Sequence, residues 1–159
     1  MTDAVERSRA MPRRVALVVW IGLLAALAWW AKLAADAGLA GGSVVDLGLL
    51  QLRLTHNSGV AFSMGSWLPT GVVLAVTAVI TAGAAGYAWW TAGALPLAGL
   101  AGLGGVVAGA VTNLADRAAD GVVTDYLHTG WFATFNVPDS FITGGAVLFV
   151  LAMLWPERS

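Results

Sequence analysis

The sequence contains no cysteine among its 159 residues, only two histidines, and only two glutamates, Glu6 and Glu157, close to its ends. The first absence excludes disulfide frameworks, thiol nucleophiles and thiolate metal sites, and the second and third exclude an HExxH zinc site. Charge is also scarce: 11% of residues are charged, against about 25% in an ordinary soluble domain. The eight basic and nine acidic residues leave a net charge of −1 and form no basic face, so nucleic acid is not an expected partner. What fills the chain instead is apolar. Hydrophobic residues make up 58% and the mean hydropathy is +0.79, which rules out a disordered chain and leaves an integral membrane protein.

A bilayer crossing takes about 20 mostly apolar residues, and four stretches are long enough. The first follows Arg14, and the last stops at Pro156. Between Arg53 and Asp116 no residue is charged, a stretch too long for one crossing and right for two joined at Thr91-Ala92-Gly93-Ala94, with Pro96 suited to a new helix start. The expected spans are about 15–33, 69–90, 95–115 and 139–155, with outer loops at 34–68 and 116–138, all in a single membrane domain. Trp29, Trp30, Trp67, Trp89, Trp90 and Trp155 fall at span ends, the headgroup level that indole favours; Trp20 alone lies inside a run. Gly99, Gly102, Gly104, Gly105 and Gly109 give the third span the small surface that lets helices pack closely in lipid, so it is expected at the centre.

Arg7, Arg9, Arg13 and Arg14 precede the first span, and the positive-inside rule puts them in the cytoplasm. An even number of spans then returns Arg158 to the same side. A cleaved signal peptide is the competing reading of the N-terminal segment, but the apolar run is long for one and cleavage would leave three spans. The fold class is therefore all-α membrane protein: four transmembrane helices, with a small extracytoplasmic β element in the first outer loop, where Leu50-Gln51-Leu52-Arg53-Leu54-Thr55 alternates strictly.

Polar residues collect in the two outer segments. His56-Asn57-Ser58-Gly59-Val60-Ala61-Phe62-Ser63 follows the alternating stretch; by itself it reads as a hairpin edge. Asn113, Asp116 and Arg117 stand at i, i+3 and i+4, on one helical face, and a salt bridge closing the helix end would explain the last two. Asp139 has an ordinary explanation as a helix N-cap, whereas Asp125 has none. Ionisable groups at membrane depth are costly and usually face a cavity or a partner. Two carboxylates in a low-dielectric site cannot both ionise, so one keeps a proton while the other acts as base, the equipment for activating water against an amide.

At these residues the sequence resembles the lipoprotein signal peptidases, signal peptidase II. The family's Asn-x-Gly-x-Ala-Phe-Ser segment is matched by residues 57–63. Its Asn-x-x-Asp-Arg, three residues, Gly-x-Val-x-Asp-aromatic pattern is matched by Asn113, Asp116, Arg117, Gly121, Val123, Asp125 and Tyr126. Phe135, Asn136 and Asp139 match a closing Phe-Asn-x-x-Asp. The resemblance implies an aspartic dyad at Asp125 and Asp139, with Asn57, Asn113, Asp116, Arg117, Asn136 and Lys32 supporting it or holding substrate. It also implies no metal or other cofactor. The implied substrate is a prolipoprotein carrying a diacylglyceryl cysteine, cut just before that cysteine, in a bacterial cytoplasmic membrane whose lipids surround the enzyme. Both termini are then expected in the cytoplasm and the site at the outer face. Departures from the family are Ala28 where an Asp usually precedes the lysine by four residues, Tyr126 for Phe, Val137-Pro138 for a pair ending in Ala, and a shorter stretch between the dyad positions.

The competing function is a small transporter or proton channel with Asp125, Asp139 and Arg117 as relay groups, but such groups belong near the bilayer midplane and these cluster at one end. A non-catalytic scaffold would not need two converging Asn-x-x-Asp elements. A serine-type mechanism would have to use His56 or His128, neither beside a nucleophile motif.

Overall fold

The computed structural model describes residues 2–58 and 67–155, with side chains from residue 10 onward. The 59–63 half of the first motif, Pro156, Glu157 and Arg158, and the side chains of Glu6, Arg7 and Arg9 lie outside the described residues. In chain order the elements are α1 (Thr2–Gly38), a 3₁₀ turn (Ala40–Gly42), β1 (Val45–Asp46), β2 (Gln51–Asn57), α2 (Thr70–Thr91), α3 (Leu97–Asp120), β3 (Val123–His128) and α4 (Val137–Leu154). Among the described residues four helical stretches, Ala10–Gly38, Thr70–Thr91, Leu97–Asp120 and Val137–Leu154, are long and apolar enough to cross a membrane.

Helix starts follow the prolines: Pro69 and Pro96 precede the first residues of α2 and α3, where fixed φ is favourable and no N–H is missed. Two ends differ from the expected spans. No breaker interrupts α1 after Lys32, so it continues to Gly38 and brings Asp36 onto the face of Lys32. After Leu114 come Ala115, Asp116, Arg117 and two alanines, which propagate the helix. It stops only at Gly121, whose φ of 79° is left-handed and whose N–H bonds to the Arg117 carbonyl. Asp116 and Arg117 are thus helical, not loop residues.

The third long helix is central. In α3, 56% of the apolar window is buried, against 11–17% in the other three, and α1, α2 and α4 all pack on it. The glycines make this possible. A Cβ on Gly102 would lie 2.6 Å from the Gly145 carbonyl oxygen and 2.7 Å from the Phe149 nitrogen, and one on Gly109 would collide with the Pro138 carbonyl. Gly104 serves the other side: a Cβ there would stand 2.6 Å from Trp20. This accounts for the tryptophan inside a span, whose indole N–H also donates to the Ala101 carbonyl at 3.1 Å.

Leu17, Ala88, Ala92, Leu95, Leu100, Leu103 and Val107 form the buried apolar cluster at the end of the bundle that carries the α2–α3 turn. Arg13 donates to the carbonyls of Gly93 (3.1 Å) and Leu95 (2.9 Å). Arg14 donates to Trp89 (3.1 Å) and lies 5.1 Å from that indole. Arg13 and Arg14 therefore satisfy carbonyls left open in the last turn of α2 and in the α2–α3 turn.

At the opposite end the strands form one antiparallel sheet, ordered β1-β2-β3. Its register pairs Val45 with Leu52, Thr55 with Asp125 and Asn57 with Val123, with an irregularity between Leu52 and Thr55. Only β2 was visible as an alternating stretch. Residues 123–126 of β3 are all buried, so β3 shows no wet face to read.

Candidate active site

The sheet and two helices bring the polar residues together. Asn57 ends β2, and Asp125 sits within β3 beside it; the Asn57 amide donates to Asp125 Oδ2 at 3.3 Å. After β3 the chain turns sharply. Leu127 and Phe135 exchange backbone hydrogen bonds of 2.8 and 3.0 Å, so the stretch between Asp125 and Asp139 closes into a tight loop and delivers Asn136 to Asp125.

Asn136 is the hub. It is 1% exposed and caps α4: its Oδ1 accepts the Asp139 N–H (2.8 Å), while Asp139 Oδ2 accepts the Asn136 N–H (3.2 Å), a reciprocal capping box. Asp139 is therefore the third residue of α4 and not its N-cap. The Asn136 Nδ2 donates to Asp125 Oδ1 (2.9 Å) and approaches Asn113 Oδ1 (3.1 Å) and the Thr124 carbonyl (3.4 Å). Asn113 Nδ2 in turn donates to Asp139 Oδ1 at 2.8 Å. The two aspartates are thus linked through a pair of asparagine amides. Tyr126, the departure from Phe, has a use: its hydroxyl accepts the N–H of Val137 at 3.4 Å, at the first residue of α4. Pro138 in the first turn loses no intrahelical bond.

Asn113 and Arg117, one turn apart on α3, face the same cavity, and an Arg117 Nη2 donates to the Asn57 carbonyl at 3.3 Å. Asp116 does not share that face. Successive helical residues point about 100° apart, and Asp116 turns toward α1, where Oδ1 meets the Lys32 ammonium at 3.2 Å. Its Oδ2 accepts the Thr124 N–H at 2.8 Å. Lys32 also pairs with Asp36 (2.7 Å) and Asp120 (3.1 Å), while Ala28 is fully buried. The acid missing one turn before Lys32 is thus matched by one a turn after it, aided by Asp120. Sequence reading missed both partners, since neither lies in a motif. The spacing Lys32 to Asp36 was the available signal for the first.

A cavity of about 340 Å³ opens at the aspartates. Asn57, Asn113, Arg117, Asp125 and Asp139 form its polar end, and Thr77, Ile80 and Thr81 of α2, Leu114 of α3 and Ile142 of α4 line the rest. Farther along the bundle Tyr87 of α2 meets Phe149 of α4 edge-on, with ring centroids 6.5 Å apart. The cavity is thus a cleft between α2 and α4, floored by α3 and bordered by the 132–135 loop. Burial, and next the charge of Asp139, push the carboxyl of Asp125 up to about 7, while the hydrogen bonds from Asn57 and Asn136 pull it down. Burial also raises the Tyr126 hydroxyl. Among the described residues no group of three or more His, Asp or Glu side chains is placed to hold a metal ion. The site offers a carboxyl that exchanges its proton near neutral pH, a second carboxylate beside it, and fixed amide donors around both.

Residues 16–155 match the family model for signal peptidase (SPase) II, a peptidase family designated A8. This chain belongs to the signal peptidase II family. The lipoprotein signal peptidase of Brucella ovis is 43% identical over 115 residues, covering 69% of this chain and 71% of that protein, and that of Brucella melitensis agrees to the same extent. A bacterial membrane enzyme solved by the in meso method at 2.3 Å has the same fold, with a TM-score of 0.75, 20% identity, and coverage of 91% of this chain and 93% of that one. The chain is accordingly a multi-pass peptidase of the bacterial inner membrane. The described residues of the three polar segments, Asn57, residues 113–126 and residues 135–139, meet at the sheet end of α3.

Proposed function

We propose that this signal peptidase II is an aspartic endopeptidase that removes the signal peptide of prolipoproteins, cutting just before a diacylglyceryl-modified cysteine, with Asp125 and Asp139 as the catalytic pair. The observation that carries this reading is the link between the two carboxylates through Asn136, whose side-chain amide donates to Asp125 Oδ1 and whose backbone N–H donates to Asp139 Oδ2, at the polar end of a mostly apolar cleft. A signal peptide is an apolar helix, and the cleft between α2 and α4 suits one.

In the mechanism Asp139 is ionised, since its oxygens accept two N–H donors at the positive end of a helix. It takes a proton from water as the oxygen attacks the carbonyl carbon preceding the cysteine. Asp125 holds its proton and donates it toward the carbonyl oxygen as negative charge develops there. When the tetrahedral intermediate collapses, the C–N bond breaks, the cysteine amine leaves with a proton from the pair, and a carboxylic acid remains on the signal peptide. Arg117, Asn57 and Asn113 hold the pair and the substrate backbone. The termini lie in the cytoplasm and the site at the outer face, consistent with the arginines ahead of α1. A proton relay is disfavoured because the charged groups gather at one end of the bundle.

The test is cleavage of a prolipoprotein in reconstituted membranes, with and without the diacylglyceryl group. Processing of the modified substrate alone is expected, and processing of both equally would remove the lipid from the account.

A further inference from the structure

Lys32 is 8% exposed, and its ammonium has three N–H donors. Three carboxylates meet it: Asp36 at 2.7 Å, Asp120 at 3.1 Å and Asp116 at 3.2 Å. Asp36 stands one turn beyond Lys32 on α1, and Asp120 one turn beyond Asp116 on α3, so two acids form a second layer above the Lys32–Asp116 pair. The side chains of Asp36 and Asp120 are 37% and 50% exposed, while that of Asp116 is buried. Below this layer the contacts lead to the site. Asp116 Oδ1 meets Lys32 as an ion pair at 3.2 Å, while its Oδ2 accepts the Thr124 N–H, and the Thr124 carbonyl faces the Asn136 amide. The residue after Thr124 is Asp125. Both ends of residue 124 are therefore fixed by this network, and with them the backbone from which Asp125 projects.

We propose that Asp36 and Asp120 are positioning residues of the peptidase: they hold the Lys32 ammonium between α1 and α3 so that Asp116 keeps its grip on the Thr124 N–H and sets the place of Asp125. The inference rests on the catalytic reading of Asp125 given above. Without the outer layer the lysine head is free to swing along its flexible stem toward water. The Asp116 carboxylate then loses its fixed orientation, and the buried Thr124 N–H loses a well-placed acceptor. A displacement of the reacting group of about 1 Å from such a remote change costs up to about 100-fold in rate, and a partial loosening costs less.

The experiment compares D36N, D120N and the double variant with wild type in proteoliposomes, using one lipid-modified prolipoprotein substrate. A fall in kcat of about tenfold in the double variant is expected, with KM unchanged, because neither residue lines the substrate cleft. D36E, which keeps the charge within reach of Lys32, restores kcat when it replaces D36N in the D120N background. A folded double variant with wild-type kcat overturns the proposal. So does a loss of kcat matched by a rise in KM, or one that D36E fails to restore, since either marks simple packing of α1 on α3. If the double variant does not fold, D120N alone, at a half-exposed side chain, is judged by kcat against KM with its folding checked, and D120E is its rescue. D125N is run in parallel: cleavage by D125N shows that the reading of the catalytic pair has failed, independently of Asp36 and Asp120.

Discussion

Substituting Asn57 by Leu tests how the surroundings of Asp125 set its proton. In the wild type the Asn57 amide donates to Asp125 Oδ2 at 3.3 Å, a contact that favours the charged form and opposes burial and Asp139. Leucine has nearly the same size and no donor. Such a hydrogen bond is worth about 0.5–1.5 kcal/mol, and each pH unit corresponds to about 1.4 kcal/mol, so its loss raises the Asp125 carboxyl by roughly 0.4–1 pH unit. The proposed mechanism needs the proton on Asp125. Activity is therefore retained below about pH 7 and falls as pH rises through about 7, and in Asn57→Leu the alkaline limb moves upward. The assay is kcat/KM for a lipid-modified substrate in proteoliposomes from about pH 5 to pH 9, which reports the groups of the free enzyme. An alkaline limb that stays in place or moves down refutes the reasoning, and so does a rate that rises through neutrality, since Asp125 would then act ionised.

Other expectations follow from packing, donors and charge. Gly102→Ala drives a methyl into backbone atoms of α4 at 2.6–2.7 Å and lowers thermal stability by at least about 1–3 kcal/mol. Gly83→Ala, whose methyl meets nothing within 4 Å, leaves it unchanged or improved, and equal melting temperatures would show that the α3–α4 contact yields easily. Arg117→Lys keeps the charge but loses the planar fork, and a drop in kcat/KM of at least about tenfold is expected; unchanged activity would reduce Arg117 to charge balance. A reporter fused after Ser159 should be cytoplasmic and one inserted near Gly42 external, and finding both on one side would contradict the proposed orientation.

The apolar runs carried most of the fold into view because lipid exposure makes nearly every residue of α2 and α4 apolar, and the glycine series marked α3 for the centre. Helix ends were less legible. Ala-rich sequence continues a helix past the last hydrophobic residue, which is how α1 came to include Asp36 and α3 ran on to Asp120, past the expected span ends. Strand β3 was hidden because it is buried on both faces and lacks the alternation that marked β2. In the site, the aspartates and asparagines were legible through motif order, but their wiring was not. That Asn136 caps α4 and also serves Asp125 depends on the Leu127–Phe135 pairing. That Asp116 turns to Lys32 while Arg117 faces the cleft depends on where α1 packs. Trp20 looked misplaced for a similar reason, since its explanation is a glycine on another helix.

The catalytic pair is tested most directly by cleavage of a lipid-modified prolipoprotein by D125N, D139N and the double variant, each shown to be folded. Each amide keeps the shape of the side chain and removes the titrating group, so each single variant should lose cleavage. The double variant should be little worse than either, because groups that act as a unit are strongly non-additive. A folded single variant that processes the substrate at close to the wild-type rate would contradict the aspartic mechanism.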